Sequence, residues 1–179
     1  MKRLFCIVSL VILLCFVFGC QDRAAMAELE EFRAQAEVEK QNKELVLKFY
    51  EEIDKQNFDA AIAMLAPDAK IYASGSFEPA KLEDLKPMFL AWYTAFPDYA
   101  HKIEDVVAKG DKVVLRITYT GTHEGEFFGA PPTGNSFKYL GIHMITVKEG
   151  KLVEGWILED MLYLMQQLGM ELKPKETEK

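Results

Sequence analysis

The sequence is poor in cysteine and histidine. It has three of each in 179 residues. Cys6 and Cys15 fall in the first apolar stretch, Cys20 closes it, and none follows. If residues 1–19 are removed and Cys20 is modified, no thiol remains for a disulfide, a nucleophile or a metal ligand. His101, His123 and His143 are far apart and lack helical i, i+4 spacing, so no metal site is expected. Basic residues are also in deficit, with 21 Lys+Arg against 28 Asp+Glu and a formal charge of −7. Nucleic acid is excluded as a partner, because a binder must neutralise phosphates. There is no phosphate-cradling glycine loop, no dinucleotide fingerprint and no Ser/His/Asp order, and no cofactor is expected.

Apolar residues are present in quantity. Half the chain is hydrophobic and 12% is aromatic, enough for a packed core. The densest run is at the N-terminus. Lys2 and Arg3 precede Leu4 to Phe18, which is apolar apart from Ser9. Crossing a bilayer takes ~20 apolar residues, so the run has the length of a signal segment. Val17-Phe18-Gly19-Cys20 resembles a bacterial lipobox, in which the cysteine thiol is lipidated before cleavage. The implied product is a chain anchored in the cell envelope through Cys20. Gln21 after the cysteine favours the outer membrane, periplasmic face, of a Gram-negative host. An ordinary signal peptide with an incidental Cys20 is the other reading.

Four segments follow. Residues 1–19 read as the signal. Residues 20–42 read as the lipidated cysteine and a helical tether, without Gly or Pro from Asp22 to Asn42. Residues 43–172 form the domain, and 173–179 a charged tail. Within the domain Val46, Phe49, Tyr50 and Ile53 mark one helix face. A short helix from Asp59 should stop at about Leu65, before Pro67. A strand is expected over Lys70 to Ala73, and a helix over Leu82 to Phe96. Strands then alternate from His101 to Ala108, Lys112 to Thr120, Phe137 to Val147 and Leu152 to Asp160. A short helix from Leu162 to Leu168 closes the domain. Helices followed by a strand meander mean α+β, with helices on one face of a curved antiparallel sheet.

Several short motifs follow one another in a particular order: Phe96-Pro97-Asp98, Gly110-Asp111-Lys112-Val113, Gly121-Thr122-His123-Glu124-Gly125, Phe128-Gly129-Ala130-Pro131-Pro132-Thr133-Gly134, Gly150-Lys151-Leu152, and finally Trp156, Asp160 and Gln166-Gln167-Leu168-Gly169. In that order the stretch resembles the SnoaL-like polyketide cyclases, or ester cyclase-like family, of the nuclear transport factor 2-like superfamily. The resemblance implies a cone with an apolar pocket between helices and sheet. It also implies an Asp near the end of the last strand that moves protons during aldol closure of a polyketide ester, without metal or cofactor. The matching position is Asp160.

Strand alternation puts Trp156, Leu158 and Asp160 on one face and Glu159 on the other. A carboxylate beside Trp and Leu loses water, which raises its pKa toward the range useful for acid/base work. The alternative is that Asp160 caps the closing helix. His143, beside Tyr139 and Ile145, can assist catalysis or be a satisfied core histidine. His123 reads as a turn or pocket rim, and His101 as a surface residue. Trp156, Trp92, Tyr93, Phe89, Phe128 and Tyr139 are the candidate pocket walls. Arg116 can pair with an acid on a neighbouring strand. Thr118 stands where an epoxide hydrolase of related fold has an Asp, which disfavours that reaction. Two functions stand. One is an anchored cyclase or isomerase acting on a small carbonyl compound. The other is a non-catalytic lipoprotein that holds a small apolar ligand or pairs as a homodimer.

Overall fold

A computed structural model describes residues 2–171, with side chains from Arg23 onward. The side chains of the expected signal segment and of Cys20, and the whole charged tail, lie outside the described residues. The chain divides into two units, Met1–Val38 and Glu39–Lys179. The first is the leading part of helix α1 (Lys2–Asp54), with mostly exposed side chains from Arg23 to Val38. Among the described residues no helix is long and apolar enough to cross a membrane.

The second unit carries the remaining elements: α2 (Phe58–Ile62), β1 (Leu65–Tyr72), α3 (Leu82–Ala95), β2 (Ala100–Lys109), β3 (Lys112–Thr122), β4 (Ser136–Lys148), β5 (Lys151–Glu159) and α4 (Met161–Gln167). The unit starts slightly earlier than the sequence suggests. Asn42 is buried and its Nδ2 donates to the Gly110 carbonyl at 3.0 Å. Glu39 accepts from the Gly110 N–H at 2.9 Å. The last turns of the expected tether are therefore docked on the β2–β3 turn.

The sheet order is β1-β5-β4-β3-β2. Four strands run antiparallel, and β1 joins β5 in parallel at the edge. Pro67 was expected to stop a helix but lies within β1, and α2 ends earlier. An edge strand tolerates proline because one side of it needs no ladder donor. The β1–β5 register also shifts between Leu65 and Lys70, around that proline.

The core lies between the inner sheet face and the helices. Val113, Leu115, Ile117 and Tyr119 of β3 are fully buried, and Phe137, Tyr139, Ile145 and Val147 of β4 are nearly so. They meet Val46, Tyr50 and Ile53 of α1, Leu85 and Tyr93 of α3, and Leu164 of α4. Each such side chain contributes about 1.5–3 kcal/mol of burial. Gly125 allows the loop after β3 to pack on α3. A Cβ there would stand 2.3 Å from the Thr94 carbonyl oxygen.

Two single-residue bulges decide which side chains face the core. The β4–β5 hairpin starts with Lys148 opposite Lys151 and Val147 opposite Leu152. One step on, Thr146 pairs with Glu154, leaving Val153 extra. From there Gly155, Ile157 and Glu159 turn inward, and Trp156 and Leu158 turn outward. The β2–β3 pair behaves likewise. Asp105 opposes Arg116, but Ile103 opposes Ile117, leaving Glu104 extra and setting His101 opposite the buried Tyr119. An extra residue reverses the facing of everything beyond it, because side chains alternate with period two.

Candidate functional site

Between α1, α3 and the inner sheet face lies a cavity of about 460 Å³. Its walls are apolar: Phe49 and Ile53 of α1, Leu85, Phe89 and Trp92 of α3, and Ile145, Leu152 and Ile157 of the sheet. A few polar groups enter it: Tyr50, Ser74, Tyr93, Tyr99, His101, His143 and Glu159. An apolar chamber with a few convergent polar groups is the usual form of a small-molecule site.

Glu159 is the carboxylate that β5 turns inward, with its side chain 14% exposed. Its Oε1 is 3.4 Å from His143 Nε2. Ser74 fixes the backbone here. Its hydroxyl accepts from the Glu159 N–H at 2.7 Å and donates to the Ile157 carbonyl at 3.2 Å. Gly141 opposes Glu159 across β4 and leaves room for it. A Cβ at Gly141 would come within 2.8 Å of the Tyr119 ring and 3.3 Å of Glu159 Cγ.

His143 is buried with a partner at each nitrogen. Tyr50 Oη is 2.5 Å from Nδ1 and Tyr119 Oη is 2.7 Å from Nε2. A carboxylate only accepts, so the network assigns the imidazole proton to Nε2, toward Tyr119 and Glu159, with the Tyr50 hydroxyl donating to Nδ1. Burial lowers the His143 pKa, and the nearby Glu159 opposes this only in part, so the ring is neutral at pH 7. Burial and then the Glu159 charge push the Tyr50 and Tyr119 phenols well above their usual range. Burial does the same to Tyr99 and Tyr139, whose hydroxyls meet at 2.8 Å. The result is a chain of neutral hydroxyls and imidazole leading to one carboxylate, able to take up a proton or pass one on.

The structure divides the candidate residues. Asp160 does not line the cavity. It is exposed, and its Oδ1 accepts from the Tyr163 N–H at 3.0 Å as the N-cap of α4. Trp156, expected in the pocket wall, stacks on Tyr72 on the outer sheet face, ring centres 4.0 Å apart. The bulge at Val153 accounts for both departures. Trp92, Tyr93, Phe89, Phe128 and His143 do line the cavity. Tyr139 lies behind the lining, stacked on Tyr119 at 4.7 Å. His123 is buried, bonded to Thr133 Oγ1 at 3.1 Å, and lies outside the lining. Arg116 pairs with Asp105 of β2, Nε to Oδ2 2.7 Å.

Glu159, His101, Asp54 and Tyr50 were not singled out from the sequence. Asp54 follows Tyr50 by one helical turn, which places both on the same face of α1 and was a usable signal. His101 was expected at the surface, but its side chain is 8% exposed and lines the cavity. Among the described residues no three His, Cys, Asp or Glu side chains stand together as metal ligands would.

Helices packed on a curved, mostly antiparallel sheet around such a chamber define a cone of the nuclear transport factor 2-like superfamily. Residues 44–168 match the family model of the SnoaL-like polyketide cyclases, and the chain belongs to that family. No curated protein matches the sequence. Among solved structures it is similar to AclR from Streptomyces galilaeus, a candidate hydroxylase, at 29% identity and TM-score 0.68 over 76% of this chain and 87% of that one. It is also similar to IdmH from Streptomyces antibioticus, a candidate polyketide cyclase, at 29% identity and TM-score 0.66 over 72% and 99%. A SnoaL-like protein from Jannaschia sp. shares the fold at 22% identity and TM-score 0.69 over 75% and 96%.

Proposed function

We propose that the domain is a cofactor-independent cyclase or isomerase acting on a small apolar carbonyl compound, with Glu159 as general acid/base and His143 assisting it. The observation that carries this is an inward carboxylate at 3.4 Å from a buried imidazole, in the wall of a largely apolar chamber. Glu159 takes a proton from the carbon next to a carbonyl, and the resulting enolate closes on an acceptor carbon. Tyr119 and the His143 Nε2–H hold the carboxylate in place, and the aromatic walls limit the conformers of the bound chain.

The test is hydrogen exchange at the carbons beside the carbonyls of 2,6-heptanedione, followed by NMR in deuterated buffer with the full chain in detergent. The expected result is saturable exchange above the buffer rate. Saturable binding of the diketone without exchange would favour the ligand-holding alternative, and absence of both would sink the pocket reading.

We further propose that Cys20 carries a lipid and anchors the domain at the envelope, on the support of the basic start, the apolar run and the cysteine that ends it. Bacteria expressing the full chain should incorporate labelled palmitate into it, and Cys20→Ala should abolish the label. Equal labelling of both chains would remove the anchor assignment. The exposed Leu140, Ile142 and Leu158 of the outer sheet face support a homodimer. Sedimentation as a monomer at high micromolar concentration would refute that.

A further inference from the structure

His101 of the cavity lining belongs to a second titratable pair, with Asp54 behind it, that this mechanism leaves idle. Asp54, at the end of α1, accepts from His101 Nδ1 at 2.6 Å. It also accepts from the His101 backbone N–H at 3.3 Å and the Tyr93 hydroxyl at 3.2 Å. Three donors from β2 and α3 therefore meet one carboxylate. With Nδ1–H given to Asp54, Nε2 is the ring atom left for the cavity, which His101 lines. The rings of Tyr50, Tyr99 and Tyr119 surround the imidazole, with centres 5.4, 5.1 and 5.1 Å away.

The placement depends on the bulge at Glu104, which sets His101 rather than Lys102 opposite Tyr119. Glu159 reaches the same concave face through the other bulge. Three strand intervals separate β2 from β5, about 14 Å at ~4.8 Å each, and less between side-chain tips on a concave face. His101 and Glu159 therefore reach the cavity from different strands. They can serve two atoms of one bound molecule.

We infer that His101 is a second acid/base residue of the cavity, with Asp54 as its positioning residue. The inference rests on the carbonyl reading above and deepens it. Glu159 removes a proton from carbon, and the C–H electron pair becomes the enolate. The enolate carbon forms a bond to the second carbonyl carbon, whose π pair moves onto oxygen. Protonated His101 donates its Nε2–H to that alkoxide, while Asp54 balances the imidazolium charge. One proton leaves carbon and one reaches oxygen, so the product is an isomer of the substrate. Glu159 and His101 are reset by proton exchange with solvent. The substrate class is a molecule with two carbonyls placed for ring closure.

The same diketone separates the two claims, because exchange needs only Glu159, whereas closure to 3-hydroxy-3-methylcyclohexanone needs both stations. His101→Asn keeps a donor near the Nδ1 position for Asp54 and removes Nε2. It is expected to lower the ratio of closure to exchange about tenfold or more. Asp54→Asn should lower the closure rate and, in ¹⁵N-histidine spectra, move part of the His101 population from the Nδ1–H to the Nε2–H tautomer. Absence of exchange in the wild type would overturn the carbonyl reading and this inference with it. Exchange without closure in the wild type, or closure unaffected by His101→Asn, would overturn this inference alone.

Discussion

Above pH 10 the domain is expected to lose stability steeply. Tyr50, Tyr99, Tyr119 and Tyr139 are buried, and each phenol is pushed above its usual value of 10.0, first by loss of water and then by the Glu159 charge or, for Tyr99, by Tyr139. The unfolded chain releases these protons near pH 10, whereas the folded chain keeps them. Their contribution is complete below pH 10 and is lost as pH rises beyond it. One such group changes stability by at most about 1.4 kcal/mol per pH unit, so four set a limit of about 5.5 kcal/mol per unit. Against a usual total of about 5–15 kcal/mol, unfolding should be complete within a few pH units. Guanidinium midpoints measured from pH 8 to 12 should fall sharply past 10, with tyrosinate absorbance rising as structure is lost. Tyrosinate that forms gradually, with an unchanged midpoint, would show that these hydroxyls reach water in the folded state.

The same tyrosines join the fold to its chemistry. Tyr119 fills the inner face of β3, stacks on Tyr139 and bonds to His143. Its inward facing was readable from plain alternation along Lys112–Thr122, where no bulge intervenes between Val113 and Tyr119. The inner face of β4, including His143, was readable for the same reason. The helix faces, the strand meander and the family followed from periodicity and motif order.

The facing of β2 and the end of β5 was not readable. Each hairpin begins in ordinary register at its Gly-containing turn, and continuing that register places Trp156, Leu158 and Asp160 inside and His101 outside. The extra residues, Val153 and Glu104, have no distinctive identity. A β-branched and an acidic residue within a strand give no local sign of a bulge. What fixes them is tertiary: Gly141 opens space for Glu159, and Asp54 waits at the end of α1 for His101. Asp160 then takes the role its position before a helix also allowed. The docking of Glu39 and Asn42 on Gly110 was hidden for a related reason, since a polar helix shows its contact only once the hairpin beside it is placed.

The central claim is that the working carboxylate of this cavity is Glu159, with Asp160 serving as a helix cap. The most direct measurement compares Glu159→Gln with Asp160→Asn in the 2,6-heptanedione exchange assay. Glu159→Gln keeps the shape and removes the base, and should lower the rate about 10²–10⁴-fold. Asp160→Asn leaves a good cap and no change inside the cavity, and should leave the rate within about twofold, with stability altered by under about 1 kcal/mol. Loss of exchange in Asp160→Asn with activity retained in Glu159→Gln would contradict the account.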